Sequence, residues 1–158
     1  MDSLTKNTLN LLIQSIPKSL QWELQWILNP KFNIGVTGLI FNIRNELLLV
    51  RQISRKKNLW CLPAGWVKHG ETLEKAFERE IQEELNLTLE KVKAIKIKSG
   101  FRLRIEALFV AYTKIKDIKK EDIALEIYEA KFFKLNKIPK NLVKGHKYYI
   151  QEGLKKIK

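Results

Sequence analysis

Acidic side chains share one face of a predicted helix with its apolar stripe in the segment from Glu71 to Leu87. At about 100° per residue, Glu84 falls roughly 20° from Phe77, and Glu80 falls roughly 60° from it. Glu83 borders the same stripe. The apolar stripe is formed by residues that recur every four positions, namely Leu73, Phe77, Ile81 and Leu85. Such a stripe marks the side of a helix that packs against a core.

This arrangement is unfavourable unless something compensates the charge. Glu80 forms like-charge pairs with Glu83 and Glu84, and each pair destabilises an isolated helix by about 0.2–0.5 kcal/mol. Partial burial adds a desolvation penalty, and Lys75 and Arg79 are predicted to point to the opposite face. The carboxylates do not form an ordinary solvent-exposed acidic face, because they lie on the same side of the helix as the apolar stripe. A bound divalent cation would resolve the conflict, and ligands that are all oxygen suit Mg²⁺ or Mn²⁺.

The segment resembles the Nudix box, the signature of the Nudix hydrolase family, which reads G-x5-E-x7-R-E-U-x-E-E-x-G-U with U a bulky aliphatic residue. Every specified position agrees except the last glycine, which is Asn86, and asparagine is the next-best residue for a left-handed helix end. Ala64 stands where many members carry a further glycine. The matching residues are Gly65, Glu71, Arg79, Glu80, Ile81, Glu83, Glu84, Leu85 and Leu87.

The resemblance implies a fold and a division of the chain. It extends over about residues 31–150 and predicts an α/β (α+β) fold, the Nudix α/β/α sandwich, in which a mixed sheet lies between helices. We expect a helical N-terminal extension over residues 1–30 and a Nudix hydrolase domain over residues 31–158. Sequence patterns predict strands at 34–41, 47–50, 93–98, 101–112 and 126–133, a loop at 60–70, and helices at 72–85 and 146–157.

The resemblance also implies roles for the matching residues. Glu80 is expected to bind metal or to act as the general base, Arg79 and Glu71 to orient the loop and helix, and Gly65 to shape the turn that brings the backbone to the metal. The implied metal ligands are Glu80, Glu83, Glu84 and the backbone carbonyl of Ala64.

A further glutamate from a loop outside the box often completes such a site in the family. Candidates cluster at Glu121, Asp122, Glu126 and Glu129. Residues an odd number apart on a strand face opposite sides, so only one of Glu126 and Glu129 can point at the metal. We choose Glu126, because it precedes the regular strand. The general base stays open between Glu80 and Glu126.

Substrate contacts are predicted from arginine and tryptophan. Arg102 and Arg104 alternate on one strand and suit phosphates, although exposed strand arginines are equally common. Arg51 opens a basic loop that suits phosphates or is simply solvated. Trp60 suits stacking on a base or, more in keeping with its residue type, packing in the core.

Composition adds weaker constraints. The chain has 158 residues, a net charge of +13 and a single cysteine, which predict one globular domain in a reducing cytoplasm. No signal peptide or spanning segment is evident, so we expect no stable membrane association. Trp22 and Trp26 lie four residues apart on a predicted helix, and we expect them to pack on the domain or on a second subunit of a homodimer.

The predicted function is hydrolysis of a diphosphate bond in a nucleotide-type small molecule. The substrate class is a nucleoside diphosphate linked to another group. The basic charge keeps open a hydrolase that acts on the 5′ end of RNA. A second alternative is a Nudix-fold binding module without catalysis, against which the intact Glu80, Glu83 and Glu84 argue.

Overall fold

The computed structural model describes residues 14–54, 59–100 and 103–157. The chain divides into two compact units, with the boundary between Phe32 and Asn33. Within the described residues, no helix is both long and apolar enough to cross a membrane. The helices and strands are α1 (Lys18–Leu28), β1 (Asn33–Phe41), β2 (Leu47–Gln52), β3 (Ala64–Trp66), α2 (Leu73–Leu85), β4 (Glu90–Gly100), β5 (Arg104–Tyr112), β6 (Ile127–Phe133) and α3 (His146–Ile157).

The N-terminal unit contains the predicted helix that carries the tryptophan pair. Helix α1 begins directly after Pro17, which occupies the N-cap position without a side-chain cap hydrogen bond among the described residues. The ammonium of Lys31 lies 4.5 Å from the centre of the Trp26 ring. The part of the predicted helical extension that precedes residue 14 lies outside the described residues. The packing of Trp22 and Trp26 on the domain or on a second subunit stays a prediction.

The larger unit is built on a mixed sheet, as predicted, and this sheet has six strands. Its strand order is β4-β5-β1-β2-β6, and β3 pairs with β1 beside this path. Strands β1 and β5 are parallel, whereas the other pairs are antiparallel. Helix α2 packs on one face of the sheet and helix α3 on the other, each over its own apolar cluster. The predicted sandwich of a mixed sheet between helices is therefore confirmed.

Strand β3 is the element that the sequence did not predict. It has three residues and pairs antiparallel with β1 through Gly35↔Trp66, Val36↔Gly65 and Thr37↔Ala64. The segment 60–70 was predicted to be loop because three residues are too few to show an alternating pattern, and Pro63, Gly65 and Gly70 are typical of loops. The pairing partner, which decides the conformation, lies about thirty residues earlier in the chain.

Helix α2 forms where the apolar stripe predicted it. Thr72 caps the N-terminus, because its side-chain oxygen accepts a hydrogen bond from the Lys75 amide at 3.3 Å. Phe77 is fully buried and stacks on Phe109 with ring centroids 5.1 Å apart. Gly38 of β1 makes this possible, since a Cβ there would lie 2.2 Å from the Phe77 ring. The helix is thereby fixed against the centre of the sheet.

The helix ends in the left-handed conformation that the sequence predicted for Asn86, with φ 51° and ψ 38°. The Asn86 side chain also accepts a hydrogen bond from Gln82 at 2.8 Å and donates one to Asp122 at 3.2 Å. Both bonds are exposed to solvent and therefore contribute little to stability.

We expect Asn86→Gly to leave the free energy of unfolding unchanged or to raise it by up to about 1 kcal/mol, because glycine carries no strain in this region. Thermal unfolding of the variant measures the effect. Asn86→Ala is the matched control and should lower the melting temperature, since alanine carries the strain without the side-chain bonds. A loss of several degrees in Asn86→Gly would contradict the prediction.

Candidate metal and catalytic site

Arg79 lies between three carboxylates of the box. Its Nη1 donates to Glu80 Oε1 at 2.8 Å and to Glu83 Oε2 at 3.0 Å. Its Nε and Nη2 donate to the two oxygens of Glu71 at 3.0 and 2.7 Å. The expectation that Arg79 points away from the carboxylates was wrong. Side chains on a helix lean toward its N-terminus, and the long arginine stem reaches the segment that precedes α2.

Glu71 connects that segment to the helix. It forms a bidentate pair with Arg79 and accepts a hydrogen bond from the Lys68 amide at 2.6 Å. The hydrogen bonds from Arg79, and after them the one from Lys68, lower the pKa of Glu71 to about 2. Arg79 also donates to the carbonyl of Trp66 at 2.9 Å. One guanidinium thus joins the end of β3, the loop that follows and the middle of α2.

Glu80 rests directly against Gly65 of β3. A Cβ on Gly65 would lie 2.1 Å from the Glu80 Cγ, so any side chain here would displace the carboxylate. Among the described glycines, positive φ occurs at Gly70 and Gly145 and not at Gly65. Gly65 therefore serves close packing against Glu80, and the turn-shaping role implied by the resemblance does not match its strand conformation.

Glu84 is the carboxylate of the box that lacks, among the described residues, a hydrogen-bond partner for a buried oxygen. Its Oε2 is buried and finds no hydrogen-bond partner in the described part of the chain. Burial first, and then repulsion by Glu80, Glu126 and Glu83, raises the pKa of Glu84 to about 7. A helical wheel at about 100° per residue predicts that Glu84 and Glu80 lie at the core-facing side and that Glu83 lies at its border. The side-chain exposures agree, since Glu83 is 53% exposed and Glu80 is 16% exposed.

The loop before β6 brings Glu126 toward this group. The Ala124 amide donates to the Glu84 carbonyl at 2.9 Å, and the Ile53 amide donates to the Glu126 carbonyl at 2.9 Å. Glu126 lies close enough to raise the pKa of Glu84. Glu129 instead pairs with Arg51 at 3.0 Å. The other two candidates are also engaged elsewhere, with Glu121 near Lys119 and Asp122 bonded to Asn86.

The donor set fits a hard divalent cation. Within residues 14–54, 59–100 and 103–157, no three His, Cys, Asp or Glu side chains already surround one metal position. Glu80 and Glu83 each direct an oxygen to Arg79 instead. The buried, unpartnered oxygen of Glu84 beside further carboxylates is nevertheless an uncompensated negative site, and its ligands are oxygens of the kind that Mg²⁺ and Mn²⁺ prefer.

The four predicted substrate residues have different surroundings. Trp60 is 4% exposed and lies between Arg51, 4.4 Å from its ring, and Phe133, 4.8 Å from it. This placement fits the packing alternative for Trp60. Arg51 is tied to Glu129, and Arg102 lies outside the described residues.

Arg104 belongs to a group that sequence reasoning missed. Its guanidinium lies 4.7 Å from the centre of the Trp66 ring and donates to Glu106 at 2.5 Å. The Tyr149 hydroxyl donates to the other oxygen of Glu106 at 2.5 Å. The alternation of Arg104 and Glu106 along β5 was visible in the sequence, but their neighbours Trp66 and Tyr149 lie about forty residues away on either side.

Two further residues with reactive side chains, His146 and Cys61, have structural roles. His146 is buried, and its Nδ1 accepts a hydrogen bond from the Leu62 amide at 2.8 Å, which anchors the start of α3. Cys61 is buried in the core, where its thiol donates to the Val50 carbonyl at 3.3 Å.

Solved structures identify the class of fold to which this arrangement belongs. The NUDIX domain of Shewanella oneidensis NrtR, solved in complex with ADP ribose, aligns over 100% of both chains with a TM-score of 0.65 and 14% identity. At this identity the likeness concerns the fold alone.

Sequence relatives identify the family. The NUDIX domain family matches residues 31–153. An ADP-ribose pyrophosphatase from Methanocaldococcus jannaschii is 33% identical over 128 residues, which cover 77% of this chain and 73% of that protein. Nudix hydrolase 5 of Arabidopsis thaliana is 27% identical over 113 residues, which cover 66% of this chain but only 37% of the plant protein. The chain belongs to the Nudix family.

We expect Glu71→Gln to lower the melting temperature by several degrees at pH 7, because Arg79 loses its charged bidentate partner. The pKa of Glu71 is depressed, so its stabilising contribution is complete above pH 4.5 and is lost as the pH falls toward 2. The difference from wild type should therefore shrink over that interval. Glu74→Gln, in the exposed first turn of α2, is the control. A pH-independent difference would contradict the prediction.

Proposed function

We propose that this chain is a divalent-metal-dependent pyrophosphohydrolase. Its substrate is a nucleoside diphosphate linked to another group, with ADP-ribose as the first candidate. The observation that carries the proposal is the carboxylate cluster at Glu80, Glu83 and Glu84, where a buried oxygen has no partner in the described chain and Glu126 lies nearby. The ADP-ribose pyrophosphatase relative and the neighbour solved with ADP ribose support the substrate class.

The metal ligands in this proposal are Glu80, Glu83, Glu84 and the backbone carbonyl of Ala64. A bound Mg²⁺ or Mn²⁺ would neutralise charge on the phosphoryl oxygens and lower the pKa of water. Gly65 gives Glu80 the space to lie against β3. The roles of Arg79 and Glu71 are to hold the helix and the preceding segment in register.

The chain itself contributes a general base to the reaction and an arginine that positions one of the two candidate bases. Hydrolysis requires water to attack one phosphorus, the phosphoanhydride P–O bond to break, and the water proton to pass to a base. A carboxylate of Glu126 or Glu80 takes that proton. Arg79 positions Glu80 through their hydrogen bond at 2.8 Å. The released products are two phosphate monoesters.

The basic charge of the chain favours one second candidate, a hydrolase of RNA 5′ ends. The net charge of +13 suits a polyanion. We also propose a location in the cytoplasm, which rests on composition, and assembly as a homodimer, which rests on the tryptophan pair of α1.

The direct test is a hydrolysis screen with Mg²⁺ and with Mn²⁺, in which released phosphate monoester is read out through a coupled phosphatase. We expect turnover of ADP-ribose, and its loss in excess EDTA. Glu83→Gln and Glu84→Gln should each abolish turnover while leaving the fold intact. Glu84→Gln should be slightly more stable, because it relieves carboxylate repulsion, whereas in Glu83→Gln that relief is offset by the loss of the ion pair with Arg79. Glu78→Gln, at an exposed position of the same helix, is the matched control.

Three outcomes of the screen would change the assignment. Full activity in EDTA would contradict the metal-dependent reading. Turnover of 5′-triphosphorylated RNA without turnover of ADP-ribose would favour the RNA hydrolase. Tight binding of ADP-ribose without turnover in either metal would favour the non-catalytic binding module.

The general base is tested at Glu126. We expect Glu126→Gln to lower kcat by at least the ~10²-fold typical of a lost general base, with little change in KM. Glu129→Gln is the control, because that carboxylate is engaged by Arg51. If Glu126→Gln retains nearly wild-type kcat while Glu80→Gln is inactive, the base lies within the box.

A further inference from the structure

Strand β3 presents different residues to the two faces of the sheet. Because side chains alternate along a strand, Gly65 faces Glu80 and Trp66 faces the opposite side. The main chain of Trp66 nevertheless belongs to the carboxylate site, since its amide donates to Glu80 at 3.3 Å and its carbonyl accepts from Arg79 at 2.9 Å. Trp66 therefore connects the two faces within one residue.

The Trp66 ring is held in place and yet open. It is 50% exposed, although the Arg104 guanidinium covers part of it at 4.7 Å from the ring centre. Such a cation–π contact favours this orientation of the aromatic ring. Gly35 lies between Trp66 and Glu106 in the register of β3, β1 and β5, and it has no side chain to obstruct the guanidinium that crosses β1.

The support for Arg104 extends to helix α3. Glu106 accepts hydrogen bonds from Arg104 through one oxygen and from the Tyr149 hydroxyl through the other. Burial, and then the bond to Glu106, raises the pKa of Tyr149 to about 12. The Nε of Arg104 is buried without a hydrogen-bond partner in the described residues. Arg104, Glu106 and Tyr149 thus form one connected network beside the Trp66 ring.

A purely structural role does not account for this network of contacts around Trp66. A half-exposed tryptophan gains little from packing, and an arginine paired with a carboxylate on a sheet face adds little to stability. Planar bases stack on an aromatic ring in a manner that depends little on sequence. Trp66 offers that surface one residue from the glycine that supports Glu80.

We propose that the exposed surface of Trp66, oriented by Arg104, Glu106 and Tyr149, binds the nucleobase of the substrate. The inference rests on the proposed function, because the diphosphate of the same ligand lies at the carboxylates. It assigns recognition of the nucleobase to the sheet face that carries α3 and the phosphate chemistry to the face that carries α2. The backbone of Trp66 connects the two faces. Arg104 acts here as a positioning residue.

The test compares two ligands that cannot be hydrolysed, α,β-methylene-ADP and methylenediphosphonate, titrated calorimetrically in the presence of Mg²⁺. The full chain is used, and circular dichroism checks the fold of each variant. Trp66→Ala should weaken α,β-methylene-ADP about tenfold or more, the usual effect of losing one base–aromatic stack. Binding of methylenediphosphonate should be unchanged. Trp66→Phe should restore most of the affinity, and Trp26→Ala in the N-terminal unit should have no effect.

Kinetics with ADP-ribose give an independent readout. Trp66→Ala should raise KM with little change in kcat, because a base contact made equally in the ground and transition states is lost. Three results would overturn the inference. They are equal loss of both ligands in Trp66→Ala, no loss of either, or wild-type protein that binds α,β-methylene-ADP no more tightly than methylenediphosphonate.

The binding test separates this inference from the proposed function. If ADP-ribose is not hydrolysed but Trp66→Ala still weakens only α,β-methylene-ADP, the proposed function fails and the nucleobase site stands. If ADP-ribose is hydrolysed and the Trp66 variants bind as wild type does, the function stands and the nucleobase site fails.

Discussion

The crowding of negative charge on one helix face is the constraint on which the rest of this structure depends. Helix α2 cannot bury its apolar stripe without drawing Glu80 and Glu84 toward the sheet. Arg79 offsets part of this charge, since its guanidinium joins Glu71, Glu80 and Glu83. The stabilisation is local, because every donor on Arg79 that faces these groups is engaged at 2.7–3.0 Å. Glu84 remains outside the network, and its raised pKa reports that nothing in the described chain compensates it.

The same constraint explains why so short a strand as β3 matters. Its glycine allows Glu80 to lie against the sheet, and its backbone donates one hydrogen bond to Glu80 and accepts one from Arg79. The preceding Pro63 carbonyl accepts from the Gly38 amide and the Thr37 hydroxyl, which fix the strand on β1. Three residues thus transmit the position of helix α2 to both faces of the sheet. A chemical site and an ordered aromatic surface can then share one backbone segment.

Several parts of the site were predictable because they depend on local periodicity. The apolar stripe located helix α2 to within a residue, and the wheel placed Glu80 and Glu84 at its buried side. The left-handed end at Asn86 followed from the position of this residue at the last glycine of the Nudix box and from the tolerance of asparagine for that conformation. Strand alternation allows only one of Glu126 and Glu129 to point at the metal, and Glu126 is chosen because it precedes the regular strand. The two carboxylates do lie in different surroundings. The direction of Arg79 could not be read from the wheel, because a long flexible side chain ends far from the angle at which it begins.

The sequence by itself determined the helix, its carboxylates and the family signature, since each is encoded within about two dozen neighbouring residues. Tertiary structure decided what those residues meet. Strand β3 exists because β1 pairs with it, and Trp66 gains Arg104 as a neighbour because β1 lies between β3 and β5. Tyr149 reaches Glu106 only because α3 packs over that face. Contacts between residues far apart in the chain depend on strand order and helix placement, and no local pattern of residues records either.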